Sequence, residues 1–194
     1  MSQILHLTLK NLKKIGIEQH IPNITEENAE FLKTLIREKN PKHILEIGTA
    51  NGYSSLHFAS VIDDDAHITT IEQAWNMHID AVTNFKNCKL KNIHAIWWDA
   101  KAVIPSLADD CFDLVYIDAM KREYLDYLLL ALPKMTEGAM IIIDDVEKFR
   151  DKMTNLYEYL HDRNIPYRLE KTDVDDSIMI LQASDLPRSA PATT

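Results

Sequence analysis

Two apolar runs, LVYID (Leu114–Asp118) and AMIIIDD (Ala139–Asp145), each end on acid, and their reading decides the fold. A run of Leu, Val, Ile and Tyr without polar alternation belongs to a strand buried on both faces, the mark of a parallel sheet. The carboxyl ends of such strands are where an open α/β sheet builds its site. Asp118, Asp144 and Asp145 can therefore converge on one point. Three carboxylates in a poorly solvated cleft repel one another, so the cluster calls for a cation or for raised pKa values. A helix follows Asp118 and begins at Lys121, one turn from the acids.

Outward from these runs, strand and helix patterns alternate. HILEIG (43–48) reads as a strand, followed by a helix from Gly52 to about Val61. HITTIE (67–72) leads into a helix over about 74–86, and NIHAIW (92–97) into a short helix ending near Leu107. FDLVYID is followed by a helix over 121–132, and AMIIIDD by one over about 147–163. Strands at 167–170 and 177–182 close the pattern. Near the start, Leu5, Leu9, Leu12 and Ile15 recur at helical spacing and predict an amphipathic helix ending near Gly16. That helix is either a packed element, a cap over the substrate or a dimer contact. Thr25 as N-cap, with Glu26 and Glu27 in the first turn, opens a second helix. Its buried stripe is Phe31, Leu32, Leu35 and Ile36, and Asn40-Pro41 stops it. The alternation predicts one doubly wound α/β domain, with a mostly parallel seven-stranded sheet and helices on both faces. Residues 1–20 form the N-terminal helix, 21–182 the domain, and 183–194 a flexible tail.

With 194 residues, the chain is long enough for one domain with a large core. Its hydrophobic content of 46% and charged content of 26% are those of a soluble globular protein, which with the absence of a signal-peptide layout gives a cytoplasmic expectation. No apolar run approaches bilayer length, so no membrane partner is expected. Cys88 and Cys111 show neither metal nor redox spacing and read as two reduced thiols. The net charge of −9 weighs against a protein whose main task is holding nucleic acid. Lys86, Lys89 and Lys91, like Lys10, Lys13 and Lys14, read as solvated helix ends or faces.

The first strand turns into its helix through Glu46-Ile47-Gly48-Thr49-Ala50-Asn51-Gly52-Tyr53-Ser54. Gly48 permits a tight turn, and Gly52 lets a ligand or the helix approach closely. Amides at that helix start favour an anionic group, either a pyrophosphate or an amino-acid carboxylate. The dinucleotide fingerprint Gly-x-Gly-x-x-Gly is absent, because Ala50 takes its second glycine position. Glu72 ends the second strand, where an acid can accept hydrogen bonds from both hydroxyls of a ribose or can cap the next helix. Together with the glycine turn it favours a nucleoside ligand.

HILEIGTANGYSS, Glu72, Asp118-Ala119-Met120-Lys121 and Asp144-Asp145 together resemble the cation-dependent O-methyltransferases, the catechol and caffeoyl-CoA type with its small bacterial relatives. The resemblance runs from about Ile21 to Gln182 and implies a Rossmann-like methyltransferase domain that binds S-adenosylmethionine. It implies that Glu46 and Gly48 border the methionine end, with Gly52, Tyr53 and Ser54 in the turn that holds the carboxylate. Glu72 would bind the ribose, Asp99 and Ala100 would border the adenine beside Met120, and Asp118 would close the cleft. The family often carries Gly-Asp-Ala where this chain has Trp98-Asp99-Ala100. Trp97 is expected in the core, while Trp98 is either core or part of the adenine rim.

The same resemblance implies a divalent cation, Mg²⁺, on Asp118, Asp144 and Asp145, since Mg²⁺ takes oxygen ligands in octahedral geometry. Relatives carry Asn where this chain has Asp145, so the ligand set bears an extra charge, unless Asp145 instead caps the following helix. Lys121 takes the general-base position, and that work requires a lowered pKa. Glu170 falls roughly where some catechol-type enzymes place an acid beside substrate. Asp173, Asp175 and Asp176 read as a solvated turn, and His57, His67 and His94 as surface or satisfied core residues. The implied activity is methyl transfer to a hydroxyl of a metal-chelated, catechol-like small molecule. The rival acceptor is a hydroxylated uridine in tRNA, which the acidity disfavours. A nucleotide-dependent oxidoreductase and a non-catalytic cofactor-binding protein are the readings from other classes. Relatives are commonly dimers, so a homodimer is possible.

Overall fold

The computed structural model describes residues 3–171 and 176–187. Helices α1 (Gln3–Gln19) and α2 (Glu26–Lys39) precede an alternating series. That series is β1 (His43–Ile47), α3 (Tyr53–Ala59), β2 (His67–Glu72), α4 (Trp75–Asn87), β3 (Ile93–Trp97) and α5 (Ala100–Val103). It continues with β4 (Phe112–Ile117), α6 (Tyr124–Ala131), β5 (Met135–Ile143), α7 (Thr154–Asp162), β6 (Arg168–Glu170) and β7 (Ile178–Gln182). The seven strands form one sheet in the order β3-β2-β1-β4-β5-β7-β6. Strands β1 to β5 run parallel, and β7 pairs antiparallel with both β5 and β6. The order reverses between β1 and β4, and ligand clefts open at such switch points.

Period-two alternation assigns the strand residues to two faces. Leu45, Ile47, Val115, Ile117, Ile141 and Ile143 pack with α6 and α7, including Tyr124, Leu128, Leu156 and Leu160. Ile44, Leu114, Tyr116 and Ile142 pack on the other face with α2 and with Phe58 of α3. Fully burying one such aliphatic side chain stabilises by about 1.5–3 kcal/mol, so the fold rests on these two layers. The α1 stripe of Leu5, Leu9 and Leu12 is buried against Tyr53, Leu56, Ala81 and Phe85. Of the alternatives for that helix, packing on the domain accounts for its apolar face, and the helix runs past Gly16 to Gln19. Thr25 caps α2 by accepting from the Asn28 amide, and Asn40 ends it in a left-handed conformation.

Several expectations need correction. The helix expected from about 147 begins at Thr154. Asp145 is left-handed at φ 58°, and the Asp176 carboxylate binds the Glu147 and Lys148 amides at 3.0 and 3.2 Å, holding that stretch as a turn. Asp176 is thus buried rather than a solvated turn residue, while Asp173 and Asp175 lie outside the described residues. The tail expected from 183 starts too early. Residues 183–185 form a 3-10 turn, Ala183 and Leu186 join the core, and 188–194 lie outside the described residues. Trp97 is 41% exposed rather than in the core, because β3 is an edge strand. His57 is buried, but neither ring nitrogen has a hydrogen-bond partner, so it is a core residue and not a satisfied one. No helix among the described residues is long and apolar enough to cross a membrane.

Candidate active site

A cleft of about 590 Å³ opens at the carboxyl ends of β1, β2 and β4, with Asp145 beyond the end of β5 on its wall. Residues 19–24, the link between α1 and α2, form the opposite wall, so the N-terminal helix delivers part of the site. A cap over the substrate was one of the alternatives for this helix, while residues 20–24 themselves carried no signal beyond helix punctuation.

One end of the cleft is the β1–α3 turn. Gly48, at φ 100°, makes the approach of β1 to β4 possible: a Cβ there would lie 1.9 Å from the Asp118 carbonyl oxygen. Gly52, at φ 85°, has a different reason. A Cβ would meet the Phe85 ring at 2.6 Å, so this glycine lets α3 pack on α4, and it is not among the cleft-lining residues. Tyr53 and Ser54 line the cleft. Glu46 lies beneath them, fully buried, accepting from Ser54 Oγ at 2.6 Å and from Ser55 Oγ. Burial pushes its carboxyl up to about 7, partly offset by the two serine donors. Glu46 therefore positions Ser54 rather than facing the cleft. Glu72 does face it, and its two oxygens accept from the Ala50 amide at 2.9 Å and the Ala74 amide at 2.7 Å. The N-cap of α4 is Ala74 and carries no side-chain cap, so Glu72 is not the helix cap; it braces the turns on either side of it while facing the cleft.

Ala100 and Trp98 line the neighbouring wall, with Met120 nearby. Asp99 is exposed, caps α5 through the Lys101 amide at 2.8 Å, and is not among the lining residues. Trp97 donates its indole N–H to the Gln73 carbonyl and meets Trp75 and Trp98 edge to face at 4.6 and 5.5 Å. Glu170 pairs with Arg168 on β6 and does not reach the cleft.

Beside the glycine turn stands the acid cluster. Lys121 Nζ lies 2.6 Å from Asp118 Oδ1, 2.7 Å from Asp145 Oδ2 and 2.6 Å from the Tyr124 hydroxyl. All three residues of the Asp118–Lys121–Asp145 cluster line the cleft. Burial lowers the Lys121 pKa, but the two carboxylates outweigh it and hold the ammonium above its ordinary value. That direction is opposite to the one a resting general base needs. Asp118 is raised, by burial first, against the pull of Lys121.

Asp144 is turned elsewhere. Strand alternation sends its side chain with Ile142 and Tyr116 toward α2, where it is 1% exposed. One oxygen accepts from the Tyr116 hydroxyl at 2.6 Å. The other accepts from the Asp145 amide at 2.9 Å and Asn28 Nδ2 at 3.5 Å. Burial, then the charge of Asp118, push Asp144 up to about 8, with the Tyr116 bond pulling the other way. Sequence reasoning missed Gln73, Met77, Tyr127 and Phe149 among the cleft-lining residues, and Tyr116, Tyr124 and Asn28, which hold Asp144 and Lys121 from behind. Tyr116, two positions before Asp118 on the same strand face, was the one with a readable signal.

A family profile described as O-methyltransferase matches residues 1–156. A flavonoid 3',5'-methyltransferase of Vitis vinifera is 27% identical over 150 residues, 72% of this chain and 64% of its own. A catechol O-methyltransferase of Mycobacterium tuberculosis is 27% identical over 124 residues, 63% of this chain and 56% of its own. The matches thus span less than two thirds of these curated relatives. An O-methyltransferase from Bacillus cereus, solved in complex with SAH, shares the fold with a TM-score of 0.76 at 21% identity, covering 90% of each chain.

Proposed function

Because the chain belongs to the O-methyltransferase family, we propose that it transfers a methyl group from S-adenosylmethionine to a hydroxyl of a small, catechol-like molecule. The observation that carries this reading is one cleft lined by two chemically distinct groups, the glycine turn with Glu72 and the Asp118–Lys121–Asp145 cluster. The first group fits the donor. Gly48 clears the floor, the turn amides suit a carboxylate, and Glu72 suits ribose hydroxyls. When bound, S-adenosylmethionine supplies a sulfonium methyl group that passes to the acceptor oxygen as the S–C bond breaks and its electron pair returns to sulfur.

The chain's own residues do the rest. Lys121 lines the cleft, and the charge of its ammonium offsets the negative charge developing on the acceptor oxygen. Since Lys121 already carries its proton, the proton lost by the hydroxyl passes to the Asp145 carboxylate, which lines the cleft. Residues 19–24 line the cleft as a further wall against which the acceptor can be positioned. The residues as folded do not fit a divalent cation. Two of the three expected ligands hold Lys121, and Asp144 is buried with both oxygens bonded. Among the described residues no group of three or more acidic, His or Cys side chains is arranged to hold a metal. No step is therefore routed through one.

The tRNA reading is weaker. The net charge is −9, and Lys86, Lys89 and Lys91 do not line the cleft. Calorimetric titration with S-adenosylmethionine, followed by a methyl-transfer screen over a catechol panel and bulk tRNA, tests the proposal. Donor binding with transfer to a catechol supports it, and transfer to tRNA alone contradicts it.

A further inference from the structure

The three N–H bonds of the Lys121 ammonium have three acceptors, Asp118, Asp145 and the Tyr124 hydroxyl, all within 2.7 Å. A lysine ammonium has three donors and no more, so its coordination is complete. The Tyr124 and Phe149 rings flank it at 5.1 and 5.7 Å, within cation–π range. We propose that Lys121 is the resident cation of this site, doing in place a divalent ion's charge-neutralising work, so that this chain transfers methyl groups without a bound metal. The inference rests on the methyltransferase reading above.

Two features beyond the lysine support it. Asp145 supplies the second full charge on the ammonium, which a neutral amide at that position would not. A divalent ion entering between Asp118 and Asp145 would displace the ammonium or sit against it, and like charges there repel. The third prospective ligand, Asp144, lies on the α2 face of the sheet, tied to Tyr116 and Asn28. Recruiting it would break both bonds and leave a buried hydroxyl without its acceptor. The bond changes of the transfer and the proton's destination are as given above.

The test is Mn²⁺ titration of the full chain, with bound S-adenosylmethionine, followed by paramagnetic resonance of the free ion. The wild type is expected to take up no stoichiometric Mn²⁺. Lys121→Met, which frees the two carboxylates, is expected to bind it at least about tenfold more tightly than the wild type. Lys121→Gln serves if the first variant does not fold. Turnover of the wild type is expected to change by less than about twofold after exhaustive chelation. Stoichiometric Mn²⁺ uptake by the wild type, displaced by Mg²⁺, overturns the proposal, as does turnover lost on chelation and restored by Mg²⁺. Failure to bind S-adenosylmethionine at all would instead remove the methyltransferase reading, and the same titration in the free protein still decides the cation question.

Discussion

The Asp144 carboxylate is turned away from the cleft onto the Tyr116 hydroxyl, 2.6 Å distant, in the layer beneath α2. A buried carboxyl stripped of its donor is more costly than the bond itself is favourable. Tyr116→Phe should lower stability by roughly 1–3 kcal/mol in urea unfolding. Adding Asp144→Asn should cost less than the sum of the two single changes, since the pair acts as a unit. Strict additivity would show that the two side chains do not share this bond.

Glu46 gives a pH signature of defined sign. Its folded pKa of about 7 lies above the ordinary 4.5, so between those values the native state holds a proton that the unfolded chain has released. Stability from this group is full below pH 4.5 and is lost as pH rises through 7. Glu46→Gln does not titrate, so from about pH 5 to about pH 8 it should gain on the order of 2–3 kcal/mol relative to the wild type. Parallel unfolding curves at the two pH values would count against the buried acid.

His57 works in the opposite direction. Burial, then the charge of Lys33, hold its pKa at about 4, so between 6.5 and 4 the unfolded chain binds the extra proton. Stability from this group is present above pH 6.5 and lost as pH falls toward 4. His57→Phe keeps a ring edge-on to Tyr53, now at 4.6 Å, and removes the titration. Its acid-unfolding midpoint should fall below that of the wild type. An unchanged midpoint would mean that His57 becomes solvated in the native state.

The two turn glycines should respond differently to alanine. Both have positive φ, but at Gly48 the added methyl meets backbone, whereas at Gly52 it meets the Phe85 side chain. Gly48→Ala should cost more than ~3 kcal/mol and widen the β1–β4 approach that floors the cleft. Gly52→Ala should cost less and be partly restored by Phe85→Leu, with thermal unfolding as the readout.

The sheet was legible because its signals are local. LVYID and AMIIIDD state burial on both faces, and HITTIE was read with both its bounds, His67 and Glu72. The glycine-turn part of the cleft was legible in part, since Gly48 and Glu72 line it, while Glu46 and Asp99 point elsewhere. What the sequence hid was orientation beyond the strand ends. Asp144 and Asp145 are adjacent, yet one continues the strand alternation into the α2 layer and the other turns left-handed into the cleft. Trp97 was hidden for a related reason, since an apolar run does not say which strand forms the edge.

The most direct test of the account compares wild type and Lys121→Met for labelled-methyl transfer from S-adenosylmethionine to catechols, in chelator, beside calorimetric donor affinity. The account predicts donor affinity equal within about twofold and turnover lowered at least about 100-fold in the variant. Undiminished turnover in Lys121→Met, or a wild type that does not bind the donor, would contradict it.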